Sequence, residues 1–375
     1  MKRILMVGPV PPPYGGIAAV MENILYSELA QEYRFDVFNK SDLFAPQVSG
    51  WWERNYLRIK RWVTFFFMVA RGDYAFVHLQ GSVWVFNGVV LYMLIARLAG
   101  AKILLHLHGT NWKWFYGEAS RPKRFLARLG LRLPETIIVL YDEWAQKITE
   151  LEPSAHVVVI PNWISTAPLP AGTDPQETMN RLQIAAQDFV IIAVGNVGWR
   201  KGTFDILKAV PIVARSVDNV RFVFAGNEEF PGQWREIMEQ VEANSLHEWV
   251  RFPGELPREV VISLLHVAHV FLLPSHSEGM PIAVIEAMKA GLPIVVTPVG
   301  GIPDMVQHEI SALLIPPDSP EAIAEALIRL ARDADLRERL GRAAQRAFSE
   351  KFAVSEGIQQ LAKIYSELAA ERPGK

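Results

Sequence analysis

Short, continuously apolar runs recur along the chain, separated by longer mixed segments. In the first half they fall at Arg3–Gly8, Phe35–Phe38, Ala75–Leu79, Ile103–His108, Ile137–Leu140 and Val157–Ile160. In the second half they fall at Phe189–Val194, Arg221–Ala225, Val250–Phe252, Val270–Leu273, Ile294–Thr297 and Ala312–Ile315. Runs of this length without polar alternation predict strands buried on both faces, and the segments between them have helical spacing. Strands that alternate with helices predict parallel sheets covered by helices on both sides. The polar, proline-rich Ser165–Pro175 separates the two series and reads as a linker. The chain is therefore expected to be α/β, with two Rossmann-like domains and a cleft between them.

Three segments depart from this rhythm. Val83–Ala99 is nearly long enough to cross a bilayer, but Asn87, Gly88 and Arg97 interrupt it and it lies between two strands, so a buried crossover helix is expected. Trp51–Arg71 holds seven large aromatics and five basic residues against the single acid Glu53. Arg54, Arg58 and Arg61 recur at spacings of four and three, which suits either a cover helix or a helix lying on an anionic bilayer. A second aromatic and basic segment, Trp112 to Arg132, offers the same pair of readings. From Pro320 to Ala370 the chain is Ala, Leu, Arg and Glu at helical spacing.

The 375 residues are half hydrophobic, enough for two cores. Cysteine is absent, which excludes a disulfide scaffold, a thiolate metal site and a cysteine nucleophile and suits a reducing, cytoplasmic setting. The net charge of −2 divides unevenly: residues 1–163 carry 18 Lys and Arg against 13 Asp and Glu, whereas residues 164–375 carry 20 against 27. The basic half is too weakly charged for a nucleic-acid binder, and it has no recognised motif for one.

The chemistry concentrates in Phe271–Gly301, which reads as strand, polar loop, helix, strand and glycine turn. Glu278 stands in the loop and Glu286 in the helix among Ile, Ala, Val and Met. A carboxylate in such company needs partners, and sugar hydroxyls are suitable donors. Either Glu alone also fits a solvated or salt-bridged residue. The amides of Gly279, Met280 and Ile282 fall at the helix start, where unpaired N–H groups and the dipole favour phosphate. Two other glycine turns follow strands and open helices: Gly15–Gly16, which also suits a plain turn, and Gly195–Gly202, which carries Arg200 and Lys201. His108 ends the fourth strand, where ligand crevices of doubly wound sheets lie. His106 reads as buried scaffold, and His78 is left open.

Ser277–Gly291 resembles the E-x7-E signature of family-4 retaining glycosyltransferases, and the resemblance extends over nearly the whole chain. It implies the GT-B fold: residues 1–163 as an acceptor-side domain, 164–354 as the donor domain, and 355–375 as a helix returning to the first domain. It implies that Glu278 contacts hydroxyls of the transferred sugar, Glu286 holds the ribose, Lys201 neutralises the leaving diphosphate and His108 lies close to the sugar. Gly15 and Gly16 would face donor phosphates and acceptor, Gly279, Met280 and Ile282 the sugar or diphosphate, and the backbone near Phe252 the base. Pro161-Asn162-Trp163 matches the family's Pro-Asn-Gly with Trp for Gly. The family's usual Arg falls at Asn196, and whether Arg200 replaces it is open.

These expectations add up to transfer of a hexose-type sugar from a UDP- or GDP-sugar to a hydroxyl of a lipid-linked or polysaccharide acceptor. Retention would come from front-face attack, the donor phosphate taking the acceptor's proton. No resident cofactor or metal is expected, since Lys201 and backbone amides can supply the positive potential. Rival readings are a sugar-nucleotide epimerase on the same fold and an inactive binding module. Attachment to the cytoplasmic membrane face through Trp51–Arg71 would be peripheral.

Overall fold

The computed structural model describes residues 1–10, 15–40, 51–82, 86–109, 120–164 and 175–370. Two compact units emerge, Met1–Trp163 with Val354–Lys375, and Ile164–Ala353. Each holds a six-stranded sheet with parallel pairing throughout.

In the first unit the strands are β1 (Lys2–Gly8), β2 (Tyr33–Asn39), β3 (Tyr74–Ser82), β4 (Ile103–His108), β5 (Thr136–Val139) and β6 (Val157–Val159), in the order β2-β1-β3-β4-β5-β6. Ile4 to Val7 and Ile103 to Leu105 are fully buried, which explains their unbroken apolar sequence. The helix Phe86–Leu98 buries Val89, Val90, Met93 and Ala96, and among the described residues no helix is long and apolar enough to cross a membrane. The helix after the first glycine pair stops at Leu25, and a separate short helical turn covers Leu29–Glu32. Ser27 Oγ donates to Ile24 O, a local bond that competes with helix continuation.

The helix Val354–Ala370 belongs to this first unit. Ile358, Leu361, Ile364, Tyr365 and Leu368 are buried, at the three- and four-residue spacing of a single helix face. Lys102 donates to Leu368 O at 2.9 Å and Lys2 to Ala369 O at 2.6 Å, so cations meet the carbonyl end of the helix, where its dipole favours them.

The second unit contains β7 (Phe189–Val194), β8 (Val220–Ala225), β9 (Val250–Gly254), β10 (Val270–Leu273), β11 (Ile294–Val296) and β12 (Leu313–Leu314), ordered β12-β11-β10-β7-β8-β9. The chain builds outward from β7 to β9, then returns to β10 on the other side of β7. That reversal makes β7 and β10 the topological switch point, where loops diverge and leave a crevice at the strand ends.

Candidate active site

The two loops that leave the switch point are Gly195–Gly202 after β7 and Pro274–Pro281 after β10. Gly202 lets them meet: its φ is +71°, and a Cβ there would sit 2.2 Å from Pro274 O. His276 N–H then donates to Arg200 O at 2.8 Å, tying loop to loop. Lys201 Nζ reaches Glu278 Oε1 at 2.6 Å, and Ser275 Oγ donates to the same oxygen at 2.7 Å. Glu278 is buried, 5% exposed, so a charge-assisted pair holds it. The sequence placed these two side chains 77 positions apart, and the fold brings them into contact.

Arg200 is partly committed elsewhere. Its Nε bonds Glu229, its Nη1 donates to Ser277 O at 3.2 Å, and it stands 3.9 Å from Glu278 Oε2. Asn196 is exposed in the same loop. Gly279 O accepts from Gly301 N–H at 2.7 Å, while Met280 and Ile282 are buried, with Pro281 capping the helix Ile282–Ala290. Glu286 lies one turn into that helix, 3.4 Å from Arg258 Nε. Burial pushes its carboxyl pKa up, against the pull of Arg258. Phe252, half-buried, stacks on Phe224 at 4.5 Å and meets Trp234 edge-on at 5.3 Å, so its ring packs against the edge of the core.

Among the described residues Asp205, His276 and Asp318 form a cluster of ligand-type groups. Its geometry fits a hydrogen-bonded clamp: His276 Nε2 lies 2.9 Å from Asp205 Oδ2 and Nδ1 lies 3.2 Å from Asp318 Oδ1, so both ring nitrogens already face carboxylates. Trp199 stacks on the same ring at 4.6 Å. The clamp fixes the loop that carries Glu278.

His108 belongs to the first unit. It is 6% exposed at the end of β4, with Nε2 2.6 Å from Gln80 Oε1. Burial lowers its pKa to about 3, and His78 on β3 is lowered likewise to about 3. His106 stacks between them, 4.4 Å from His108 and 5.7 Å from His78, and burial takes its pKa well below the ordinary range too. Gly15 and Gly16 are exposed at the start of the helix Gly16–Leu25, with open space where a Cβ would stand.

Two sequence comparisons bear on this architecture. The family described as glycosyl transferases group 1 matches residues 174–347, and the glycosyl transferase 4-like domain matches residues 29–163. The chain belongs to the group 1 glycosyltransferases. It is 23% identical to an alpha-D-kanosaminyltransferase of Streptomyces kanamyceticus, a match covering 85% of this chain and 81% of the relative. It is 24% identical to an N-acetyl-alpha-D-glucosaminyl L-malate synthase of Bacillus anthracis, covering 73% and 70%. The structure of Anabaena HepE in complex with UDP-glucose superposes with a TM-score of 0.75 over 98% of this chain and 100% of that one, at 17% identity. The fold of this glycosyltransferase is thus GT-B, with two parallel six-stranded sheets.

The helix Trp51–Arg71 of the glycosyltransferase corrects one expectation. Phe65 and Val69 are buried, while Trp52, Tyr56, Ile59, Val63, Phe66 and Phe67 are exposed and recur at helical spacing. The outward surface therefore carries an apolar stripe beside the exposed Arg58, Lys60 and Arg71. Arg61, expected in a surface-facing basic stripe, donates from Nη2 to Asn39 O at 2.6 Å and covers the Phe38 ring, because its position follows the buried side of the helix. Trp112–Tyr116 lie outside the described residues. Sequence reasoning missed Arg258, Glu229, Ser275, His276 and Gln80. Of these only Gln80 had a local signal, since His78 and Gln80, two residues apart on a strand, share one face.

Proposed function

We propose that this glycosyltransferase moves a hexose-type sugar from a UDP- or GDP-sugar to an acceptor hydroxyl with retention of configuration, without a resident metal ion. The observation that carries this reading is the Lys201–Glu278 pair spanning the switch point of the second sheet. When a donor enters, Lys201 turns to the diphosphate and Glu278, released, accepts from sugar hydroxyls. The pair keeps both side chains at the switch point before the donor arrives. Glu286 is suited to a ribose, because a mostly buried carboxylate gains by accepting two hydroxyl donors. His108 would meet the sugar as a neutral ring, since burial keeps it unprotonated at ordinary pH.

In the transfer step the sugar C1–O bond to the diphosphate breaks and the acceptor oxygen bonds to C1 on the same face. The acceptor proton passes to a diphosphate oxygen. Lys201 offsets the charge that develops on the leaving group. A lipid-linked or polysaccharide acceptor fits an attachment in which the apolar stripe of Trp51–Arg71 enters the cytoplasmic face of a membrane. Inserted apolar side chains would hold it, so vesicle binding should survive high salt and be lost when Ile59 and Phe67 become Ser.

A thermal-shift screen of UDP-, GDP- and ADP-sugars identifies the donor, since ligand at 100 times its dissociation constant adds about 2.7 kcal/mol. Product analysis by NMR should then show acceptor-dependent transfer, an unchanged anomer and indifference to EDTA. An inverted anomer or abolition by EDTA refutes the mechanism. A sugar epimerised with no acceptor present points to the rival enzyme.

A further inference from the structure

His108 is the start of a buried hydrogen-bonded chain. Its Nε2 is 2.6 Å from Gln80 Oε1; Gln80 Nε2 is 3.1 Å from His78 Nε2; His78 Nδ1 is 2.7 Å from the Tyr365 hydroxyl; and that hydroxyl points to Met6 Sδ at 3.7 Å. Gln80, His78 and Tyr365 are each 2% exposed or less. An amide offers its oxygen only as acceptor and its nitrogen only as donor, so each link has a single sense. Gln80 Oε1 receives the proton of His108 Nε2; Gln80 Nε2 donates to His78; His78 Nδ1–H donates to Tyr365; and Tyr365 O–H is directed at sulfur.

We propose that Gln80 is a positioning residue for His108, fixing it as the Nε2–H tautomer with its lone pair on Nδ1, and that Tyr365 on the C-terminal helix anchors the other end of the chain. The proposal rests on the reading of His108 as a group that meets the donor sugar. With Nδ1 the acceptor, His108 takes a hydrogen bond from a sugar hydroxyl and leaves the ring uncharged. The tautomer of a histidine is set by what its other nitrogen bonds. With the other tautomer the bare Nε2 would face Gln80 Oε1 lone pair against lone pair in a dry site, which is what the amide excludes. The ring plane is held as well, because His106 lies flat against His108 at an interplanar angle of 25°. The chain also explains why a polar Gln and two histidines occupy the middle of an otherwise apolar sheet: every link is satisfied only if all are present.

The test is nitrogen-15 NMR of histidine-labelled full-length protein, which distinguishes the two neutral tautomers, combined with donor kinetics. Wild type should show His108 as Nε2–H. Gln80→Leu should lose that fixed state and lower kcat roughly ten- to hundred-fold, the scale on which orienting partners of imidazoles act, with the KM for donor nearly unchanged. Gln80→Glu keeps an acceptor for Nε2–H and should restore the tautomer and part of the rate. Tyr365→Phe removes one oxygen and guards against misfolding; it should loosen His78 and lower kcat less than Gln80→Leu does. A wild-type Nδ1–H tautomer, or a Gln80→Leu protein with unchanged tautomer and rate, overturns the proposal. If His108→Ala keeps full activity, the reading of His108 fails even where the NMR result stands, so the two failures are distinguishable.

Discussion

The two sheets share one construction principle and line their strand ends with opposite chemistry. In the second unit the crevice holds charge: Lys201 with Glu278, Arg200 with Glu229, Glu286 with Arg258. In the first unit β3 and the end of β4 hold neutral rings and an amide, with His78 and His108 kept uncharged by burial. One holds its polar groups by ion pairing and the other by a directed hydrogen-bond chain, beside which the two ring nitrogens of His106 lie buried without a hydrogen-bond partner among the described residues. Under the proposed reaction the charged groups of the second unit would meet the diphosphate and the sugar hydroxyls, and the neutral rings of the first unit would add no charge.

The comparison breaks most visibly at Lys201. Lys201→Ala should lower turnover by roughly two to three orders of magnitude, the effect of losing one preorganised charge-stabilising group; a loss of less than tenfold in steady-state kinetics would remove Lys201 from the leaving-group role. Next come the two glutamates. Glu286→Ala should weaken donor binding about ten- to hundred-fold, as expected for bonds to a charged group, and Glu278→Ala should act mainly on kcat, because contacts to the migrating sugar tighten as its bond breaks. Calorimetric titration beside kinetics separates them, and equal effects on binding and turnover in both variants would cancel the distinction.

A pH series sharpens the contrast between the units. The folded pKa values of His78 and His108, about 3, lie below the ordinary 6.5, so between those limits the unfolded chain binds protons that the folded one refuses. Their contribution is complete above about pH 6.5 and falls as the pH drops towards 3. At pH 5 each buried imidazole costs about 2 kcal/mol relative to pH 7. Amide exchange in β3 and β4 of the intact protein, corrected for its intrinsic pH dependence, should therefore accelerate at pH 5 more than in β10 and β11. The smallest effect is expected at Arg200: bound to Glu229 and Ser277 O, it is held back from the diphosphate, and Arg200→Ala should change turnover by less than about tenfold. A larger loss would assign it the duty of the cation missing at Asn196.

Much of the fold was readable because buried parallel strands write themselves as continuous apolar runs: all twelve segments, from Arg3–Gly8 to Ala312–Ile315, coincide with observed strands to within a few residues. Glu278 and Lys201 stood out as polar residues in strand-end loops beside helix starts. Their partners did not. Arg258, Glu229 and Ser275 reach the site through tertiary approach of separate loops, and no spacing along the chain encodes that approach. The helix Trp51–Arg71 shows a subtler limit: its periodicity separates two faces, but which one turns inward depends on where Phe65 and Val69 find a core. Arg61 followed them in. Tyr365 was legible only as one apolar position in a helix, and its hydroxyl acquires meaning from His78, 287 residues away.

The central claim is that a nucleotide sugar binds across the switch point of the second sheet, parting Lys201 from Glu278. Hydrogen exchange of the intact protein, with and without saturating UDP-glucose or GDP-mannose, tests it most directly. With the donor that binds, protection should concentrate in residues 195–202 and 274–286. No change in those two segments with a donor that demonstrably binds, or protection confined to the first unit, would contradict the account.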